Sequence, residues 1–464
     1  MNKLSSLYLI SFCLLAACSQ HTTPPPQQDL SLAVPSQWKN HLFSATDILM
    51  EDNWWQAFQD PELDKLIRQV LEKNNDLAVA ALKVRQARLN AGLTATNQTP
   101  DVTASLGAEK QKTWHNSTSD NTNMTTYNSA LALNYELDLW GKLTDERAAA
   151  NFEADATEQD RQAAALSLIG TTATLYWKQG YLNEQIRIGQ QSLEYTRQGL
   201  KIAQSHYQSG ANSKLDVLQA EQSVASQQAS LEDLLRQREE NQNALAILLD
   251  QPPGNVSSLP DTLPTTPMPE IPAGLPADVL AQRPDVKAAE LRLRSEYATR
   301  QYTTKSFYPT FSLTGTLSTS SEQLHSVLHN PAGTLGAGLT LPFVKWQTTR
   351  LNIAKQQVVY EQAIRTFRQT FYTALSEVEN QLSARQHYQN AATQLAHSLS
   401  LARQTEQITS VRYYAGEIEM QDWLEQQENR RSAEKEVLQN RYQQLTTQMA
   451  LYQALGGSPA LQQD

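Results

Sequence analysis

Cysteine is nearly missing: the chain has 2 in 464 residues, Cys13 and Cys18. Cys13 lies inside an N-terminal apolar run, so a chain that sheds this run keeps one thiol and no internal disulfide. Long apolar runs are missing too. The stretch from Leu7 to Ala17 is too short to cross a bilayer as a helix and suits a secretory signal, and no later segment reaches the length and apolarity of a transmembrane helix. A membrane crossing must therefore use strands in a closed barrel, because open backbone in hydrocarbon is prohibitively costly. Basic blocks are absent, and the net charge of −10 argues against nucleic acid as the main partner. No G-x-S-x-G, P-loop or H-E-x-x-H occurs. His325-x3-His329 has metal-compatible spacing but falls in a loop without Cys or carboxylate clusters, and reads as surface. Neither enzymatic activity nor a cofactor or metal is expected.

What is present at the N-terminus is specific. Lys3 precedes the apolar run, which ends in Leu15-Ala16-Ala17-Cys18. That ending resembles the bacterial lipobox, in which the Cys becomes the lipidated mature N-terminus. Residues 1–17 are then a lipoprotein signal peptide, Cys18 the lipidation site, and 18–52, with Pro24-Pro25-Pro26, a lipidated tether. In lipoproteins generally, a residue other than Asp after the Cys, here Ser19, favours transfer to the outer membrane.

The hydrophobic period then changes twice. Leu63, Leu66, Ile67, Val70 and Leu71 give the 3–4 spacing of a helix, and the helical region runs from Pro61 to Asn97. After Pro100 the period becomes two: Val102, Ala104, Leu106 and Ala108, then Tyr127, Leu131, Leu133, Tyr135, Leu137 and Leu139, with the polar stretch Asn116–Thr126 between them as a loop. The pattern returns at Phe311, Leu313 and Leu317 and at Leu335, Ala337, Leu339 and Leu341. Four amphipathic strands of about 9–11 residues in two hairpins have the length a transmembrane β-strand needs. A soluble antiparallel sheet would carry the same alternation. Two hairpins cannot close a lipid-facing barrel, whose minimum is about eight strands, so a membrane reading requires several chains to pool their strands.

Proline is missing from Asp101 to Gln251 and from Phe343 to Ser458. The stretch Lys142–Tyr207 is rich in Ala, Gln, Glu, Leu and Arg, and as one helix would run roughly 100 Å at about 1.5 Å per residue. In contrast, 251–276 carries eight prolines and reads as an extended connection. Leu424, Leu438, Leu445 and Tyr452 fall on a seven-residue raster, as coiled-coil packing prefers.

These halves are copies. Tyr207-x-x-Gly210-x5-Asp216-x-Leu218 recurs as Tyr413-x-x-Gly416-x5-Asp422-x-Leu424, an offset of 206 that Trp140 and Trp346 share, while Asp76 and Asp285, and Pro100 and Pro309, are 209 apart. The expected division is a first repeat over 53–250 with a β-hairpin at about 101–139 and a long helical pair turning near 210. A second repeat follows over 277–457, with its hairpin at about 308–342 and its turn near 416, and then a tail at 458–464.

Several ordered motifs carry a resemblance: Asn53-Trp54-Trp55-x-x-Phe58-x-Asp60-Pro61-x-Leu63, Tyr135-Glu136-Leu137-Asp138-Leu139-Trp140-Gly141, Leu275-Pro276-Ala277-Asp278-x-Leu280-x-x-Arg283-Pro284-Asp285, Phe307-Tyr308-Pro309-x-Phe311-x-Leu313-Thr314-Gly315 and Leu455-Gly456-Gly457. Together they resemble the TolC-like outer membrane efflux channels, most closely the lipoprotein subfamily working with resistance–nodulation–division pumps. The resemblance implies a mixed α and β fold, internally duplicated. A homotrimer would form a 12-stranded β-barrel continuous with a periplasmic α-helical barrel, partnered by a periplasmic adaptor protein and an inner membrane pump. It also implies passive export of small molecules. The same fold serving a type I protein exporter, or a periplasmic coiled-coil scaffold lipoprotein, are the alternatives.

By the same resemblance the two Tyr-x-x-Gly turns are the periplasmic tips. Tyr207, Gly210, Ala211, Gly416 and Glu417 are the expected adaptor contacts. Asp422 and Glu425 match acidic positions lining the closable aperture, with Glu419 on the same face, and Asp216 is the expected acidic partner for Tyr413. The alternative is that these are solvated helix-surface charges. Two departures stand out. Ile418 occupies a position where the related channel type carries a basic latch residue. The second strand-to-helix junction reads Phe343-Val344-Lys345-Trp346-Gln347 in place of Phe-Asp-x-Gly, which is expected to stiffen or reshape the turn without changing the fold.

Overall fold

The computed structural model describes residues 32–35, 38–39, 53–113, 122–211, 213–254, 256, 259–269 and 280–457. Cys18, the signal segment, most of the tether and the C-terminal tail lie outside the described residues. The described elements run α1 (Pro61–Lys73), α2 (Asn75–Thr96), β1 (Asp101–Thr113), β2 (Thr122–Leu137), α3 (Lys142–Gln208), α4 (Lys214–Leu248), α5 (Pro284–Lys305), β3 (Thr310–Ser321), β4 (Ala332–Thr340), α6 (Trp346–Tyr414) and α7 (Met420–Ala454). The duplication is visible in lengths: α2 and α5 have 22 residues each, α4 and α7 have 35 each, and α3 and α6 have 67 and 69. No helix among the described residues is long and apolar enough to cross a membrane.

Two compact units divide the chain, and each draws on both repeats. The first holds Leu82–Glu158 and Lys287–Thr370. Its four strands form one antiparallel sheet in the order β1-β2-β3-β4. The register sorts the side chains by face: Val102 opposes Leu133, Leu131 opposes Leu317, and Leu313 opposes Ala337, while Thr103 opposes Ala132, which opposes Thr316, and Thr314 opposes Gly336. One face is thus Leu-rich and the other carries Thr, Ser, Asn and Gly. The apolar side chains point outward uncovered, with Leu106 85% and Leu335 93% exposed.

Three strands are longer than the alternation predicts. β1 has 13 residues, β2 16 and β3 12, against 9 for β4. The β1–β2 ladder continues through Lys110↔Thr125 to Thr113↔Thr122, so part of the stretch read as a loop, Asn116–Thr126, is strand. Backbone pairing does not need apolar side chains, and the period-two signal ends where the apolar face ends.

The two strand-to-helix junctions differ in construction. After β2 the Asp138 carboxylate accepts from the Leu143 and Thr144 N–H groups at 3.0 and 2.8 Å, Gly141 turns at φ +70°, and Lys142 pairs with Glu136 at 2.6 Å. The Trp140 indole donates to the Pro309 carbonyl at 2.7 Å. After β4 a 3-10 turn, Pro342–Val344, leads through Lys345 at φ −86° into α6. Without Asp-x-Gly the chain makes the same change of direction with no left-handed residue, and Phe343, Val344 and Trp346 stand exposed.

The second unit holds Ala33–Ala81, Gln159–Val286 and Phe371–Asp464. Asp60 caps α1 by accepting from the Glu62 and Leu63 N–H groups at 3.2 and 3.1 Å, with Pro61 at the first helical position, where a missing N–H costs nothing. The apolar stripe Leu63, Leu66, Ile67 and Val70 is buried in a core with Trp177, Leu245, Leu382, Leu445 and Met449. Three motifs distant in sequence converge here. Trp54 stacks on Tyr452 with centroids 4.9 Å apart, and a Cβ on Gly457 would come within 2.5 Å of the Trp54 indole nitrogen. Gly456 turns at φ +80°, and a Cβ there would meet Arg283 at 3.1 Å. Arg283 is buried and bridges Asp285 and Glu377, at 2.7 Å each, and the Ala454 carbonyl at 3.1 Å.

Candidate functional site

Both Tyr-x-x-Gly patterns are helix-terminating turns of one design. At the first, Gly210 sits at φ +77°, its N–H donates to Tyr207 O at 3.1 Å and the Ala211 N–H to His206 O at 2.8 Å. At the second, Gly416 sits at φ +76°, its N–H donates to Tyr413 O at 2.9 Å and the Glu417 N–H to Arg412 O at 3.0 Å. These are Schellman motifs: the last carbonyls of α3 and α6 are satisfied by N–H groups that only a left-handed residue can bring round. Tyr207, Gly210, Ala211, Gly416 and Glu417 are all exposed on these turns.

The return helices start differently. Asp216, half-buried at the third position of α4, accepts from the Ser213 N–H at 3.1 Å and so caps its own helix. In the second copy Glu419 is the N-cap residue itself, with extended backbone (φ −76°, ψ 157°) and no capping bond from its side chain. It therefore flanks α7 rather than lying on a face of it. Glu419, Asp422 and Glu425 are exposed, and none enters a hydrogen bond or ion pair among the described residues. Arg412 pairs with Glu417 across the turn at 3.2 Å, so a basic clamp exists within the second tip although Ile418 lacks one.

Tyr413 is buried within its own chain at 3% exposure, its ring stacked on Trp423 at 4.9 Å and 18°. Met420, Ala203, Val217 and Ala220 complete this cluster, and Gly199 lies beside the indole, where a Cβ would make ordinary contact at 3.5 Å. Met420 and Trp423 were not singled out by the sequence reading. A signal existed: at the 206 offset they replace Lys214 and Val217, so the second copy is the more aromatic as well as the more acidic. In the first tip, Tyr207 instead takes the Lys214 ammonium 5.7 Å above its ring.

The family model for outer membrane efflux proteins matches residues 66–250 and 275–457, one match to each repeat. The chain belongs to this family. Among curated relatives, the pyoverdine export outer membrane protein OpmQ of Pseudomonas aeruginosa is 30% identical over 463 residues, covering 98% of this chain and 97% of the relative. The cation efflux system protein CusC of Escherichia coli K12 is 26% identical over 467 residues, covering 98% of this chain and 100% of the relative. Among solved structures, the outer membrane channel OprN superposes with a TM-score of 0.84 at 26% identity, covering 94% of this chain and 99% of OprN. The open state of the Neisseria gonorrhoeae MtrE channel gives 0.79 at 26% identity, covering 95% and 97%. This efflux protein is an outer membrane channel.

Proposed function

We propose that this efflux protein is the outer membrane exit duct for small molecules handed over by a periplasmic adaptor and an inner membrane pump, a conduit rather than a catalyst. The observation that carries this is the sheet: four strands, Leu-rich on one face and Thr, Ser and Gly on the other, with both edges open. Three chains pool twelve such strands into a barrel with lipid outside and water inside. The relatives' cargoes, pyoverdine for OpmQ and cations for CusC, support small solutes. A deletion strain should lose export of small amphipathic compounds and become hypersusceptible to them, and the wild-type chain should restore both. Unchanged susceptibility with loss of a secreted protein would favour the type I secretion alternative.

The second tip is our proposed gate. Three-fold symmetry would gather three copies each of Asp422 and Glu425, with Glu419 beside them, into a ring that repels itself and attracts cations. The exposure of these carboxylates supports this, as does their lack, among the described residues, of any ion pair or of the capping hydrogen bond that occupies Asp216. Tyr413, stacked on Trp423, would set the position of the tip from behind. In planar bilayers, Asp422→Ala with Glu425→Ala should reduce cation preference and weaken block by divalent cations. Unchanged conductance, selectivity and block would count against the gate. The exposed turn residues Tyr207, Gly210, Ala211, Gly416 and Glu417 are proposed to meet the adaptor. Cys18 is proposed to carry the lipid, and Cys18→Ala should abolish labelling by a radioactive lipid precursor. A variant still labelled would refute the assignment.

A further inference from the structure

The duplication holds down to the hydrogen-bond register, and the register of one junction determines another. Paired residue numbers total 235 across β1–β2 and 650 across β3–β4. The difference, 415, is the two repeat offsets taken together, 209 for Pro100 to Pro309 and 206 for Trp140 to Trp346. Hence β1 and β3 are equivalent residue for residue, and so are β2 and β4. Each chain contains one complete junction between repeats, β2–β3. Its pairs total 448, and it is closed by the Trp140 indole on the Pro309 carbonyl at 2.7 Å. The matching halves of a second junction sit at the two free edges of the sheet. Trp346, 63% exposed, follows β4, and Pro100, also exposed, precedes β1.

We infer that β4 of one copy pairs antiparallel with β1 of the next in a register whose residue numbers total 445, and that the Trp346 indole donates to the Pro100 carbonyl of that next copy. Moving from β2 to β4 adds 206 and moving from β3 to β1 removes 209, which turns 448 into 445. The whole of β4 then lies against β1, with Leu339 opposite Leu106 and Thr340 opposite Ser105. The faces match in this register: odd positions of β4 meet even positions of β1, Leu339 against Leu106 and Ala337 against Ala108, while Leu335 meets Lys110, where the apolar face of β1 ends. A slip of one residue would turn every apolar side chain of one strand to the polar face. The free edges are also the kind of unpaired ladder that proteins do not leave open. Three such seams would complete a ring of six Trp–Pro bonds, three within chains and three between them.

The inference rests on three copies sharing one barrel, and the test separates the two. In the full-length, membrane-inserted protein, Thr340→Cys combined with Ser105→Cys should link neighbouring copies by disulfide on non-reducing gels. Thr340→Cys combined with Thr103→Cys, two residues out of register, should link several-fold less. Stronger linking through Thr103→Cys or Gly107→Cys would overturn the register. Native-gel trimers that link through none of them would overturn the β4–β1 seam and leave the trimer standing, and a monomer would overturn both. Trp346→Phe, which keeps the ring and removes the donor, should lower the temperature at which the trimer dissociates in detergent. Dissociation at the wild-type temperature would overturn the Trp–Pro bond.

Discussion

Leu131→Arg should abolish the outer membrane trimer. Leu131 sits in the interior strand β2, opposite Ala104 on one side and Leu317 on the other, on the Leu-rich face of the sheet. A cation at mid-depth on the lipid face of a barrel costs about 2–4 kcal/mol. Three-fold symmetry places the charge three times in one barrel, roughly 6–12 kcal/mol in all, comparable to the whole stability of many folded domains. The neighbouring Ala132 lies between Thr103 and Thr316 on the polar face. Ala132→Arg should therefore assemble normally, because its charge faces water. Heat-modifiable migration of outer membrane fractions measures both. A trimer formed by Leu131→Arg and lost in Ala132→Arg would mean that the faces are assigned the wrong way round.

Arg283→Met should destabilise the helical unit by about 3 kcal/mol, the low end of what removing one partner from a buried ion pair costs. The guanidinium is buried and holds both Asp285 oxygens, at 2.7 and 3.0 Å, together with Glu377 and the carbonyl that ends α7. The low end applies because the two carboxylates keep 41% and 48% of their side-chain exposure and can recover some hydration. Arg283→Lys should rescue little, since one ammonium cannot supply the forked contacts. The pH dependence has a definite sign. Burial alone would raise the Asp285 carboxyl, but the hydrogen bonds and charge of Arg283 outweigh it and hold the group below its ordinary value of 3.8. A lowered folded value means that the stabilisation is complete above the unfolded value and is lost as pH falls through the folded one. The gap between wild type and Arg283→Met, read from thermal melts by circular dichroism, should therefore be widest near neutrality and narrow in acid below about pH 4. A gap independent of pH would show that packing, not the ion pair, carries the effect.

Much of the fold was legible because its signals are local and periodic. Alternation placed all four strands, and the proline-free stretches located the long helices. Gly210 and Gly416 marked turns that do adopt left-handed backbone, since helix ends need a residue without a Cβ penalty. The polar continuation of β1 and the start of β2 were not legible, because a ladder of backbone bonds leaves no trace in Lys110-Gln111-Lys112. The charge of the tip was legible in the Asp216–Asp422 repeat and in the acidic residues that only the second copy carries. Its aromatic centre was missed because Tyr413 and Trp423 are ten residues apart, across a turn, and meet only when α6 and α7 fold back on each other.

The 206-residue duplication, the face alternation and the scarcity of apolar runs determined by themselves that the chain repeats one unit and that any membrane crossing is by shared strands. These properties depend on composition and period along the backbone, which exist before folding. Tertiary structure alone decided the register of the sheet, the burial of Tyr413, the capping use of Asp216 and the meeting of Arg283 with Gly456 and of Trp54 with Gly457. Each depends on groups far apart in the chain arriving within bonding distance, and no local spacing encodes that.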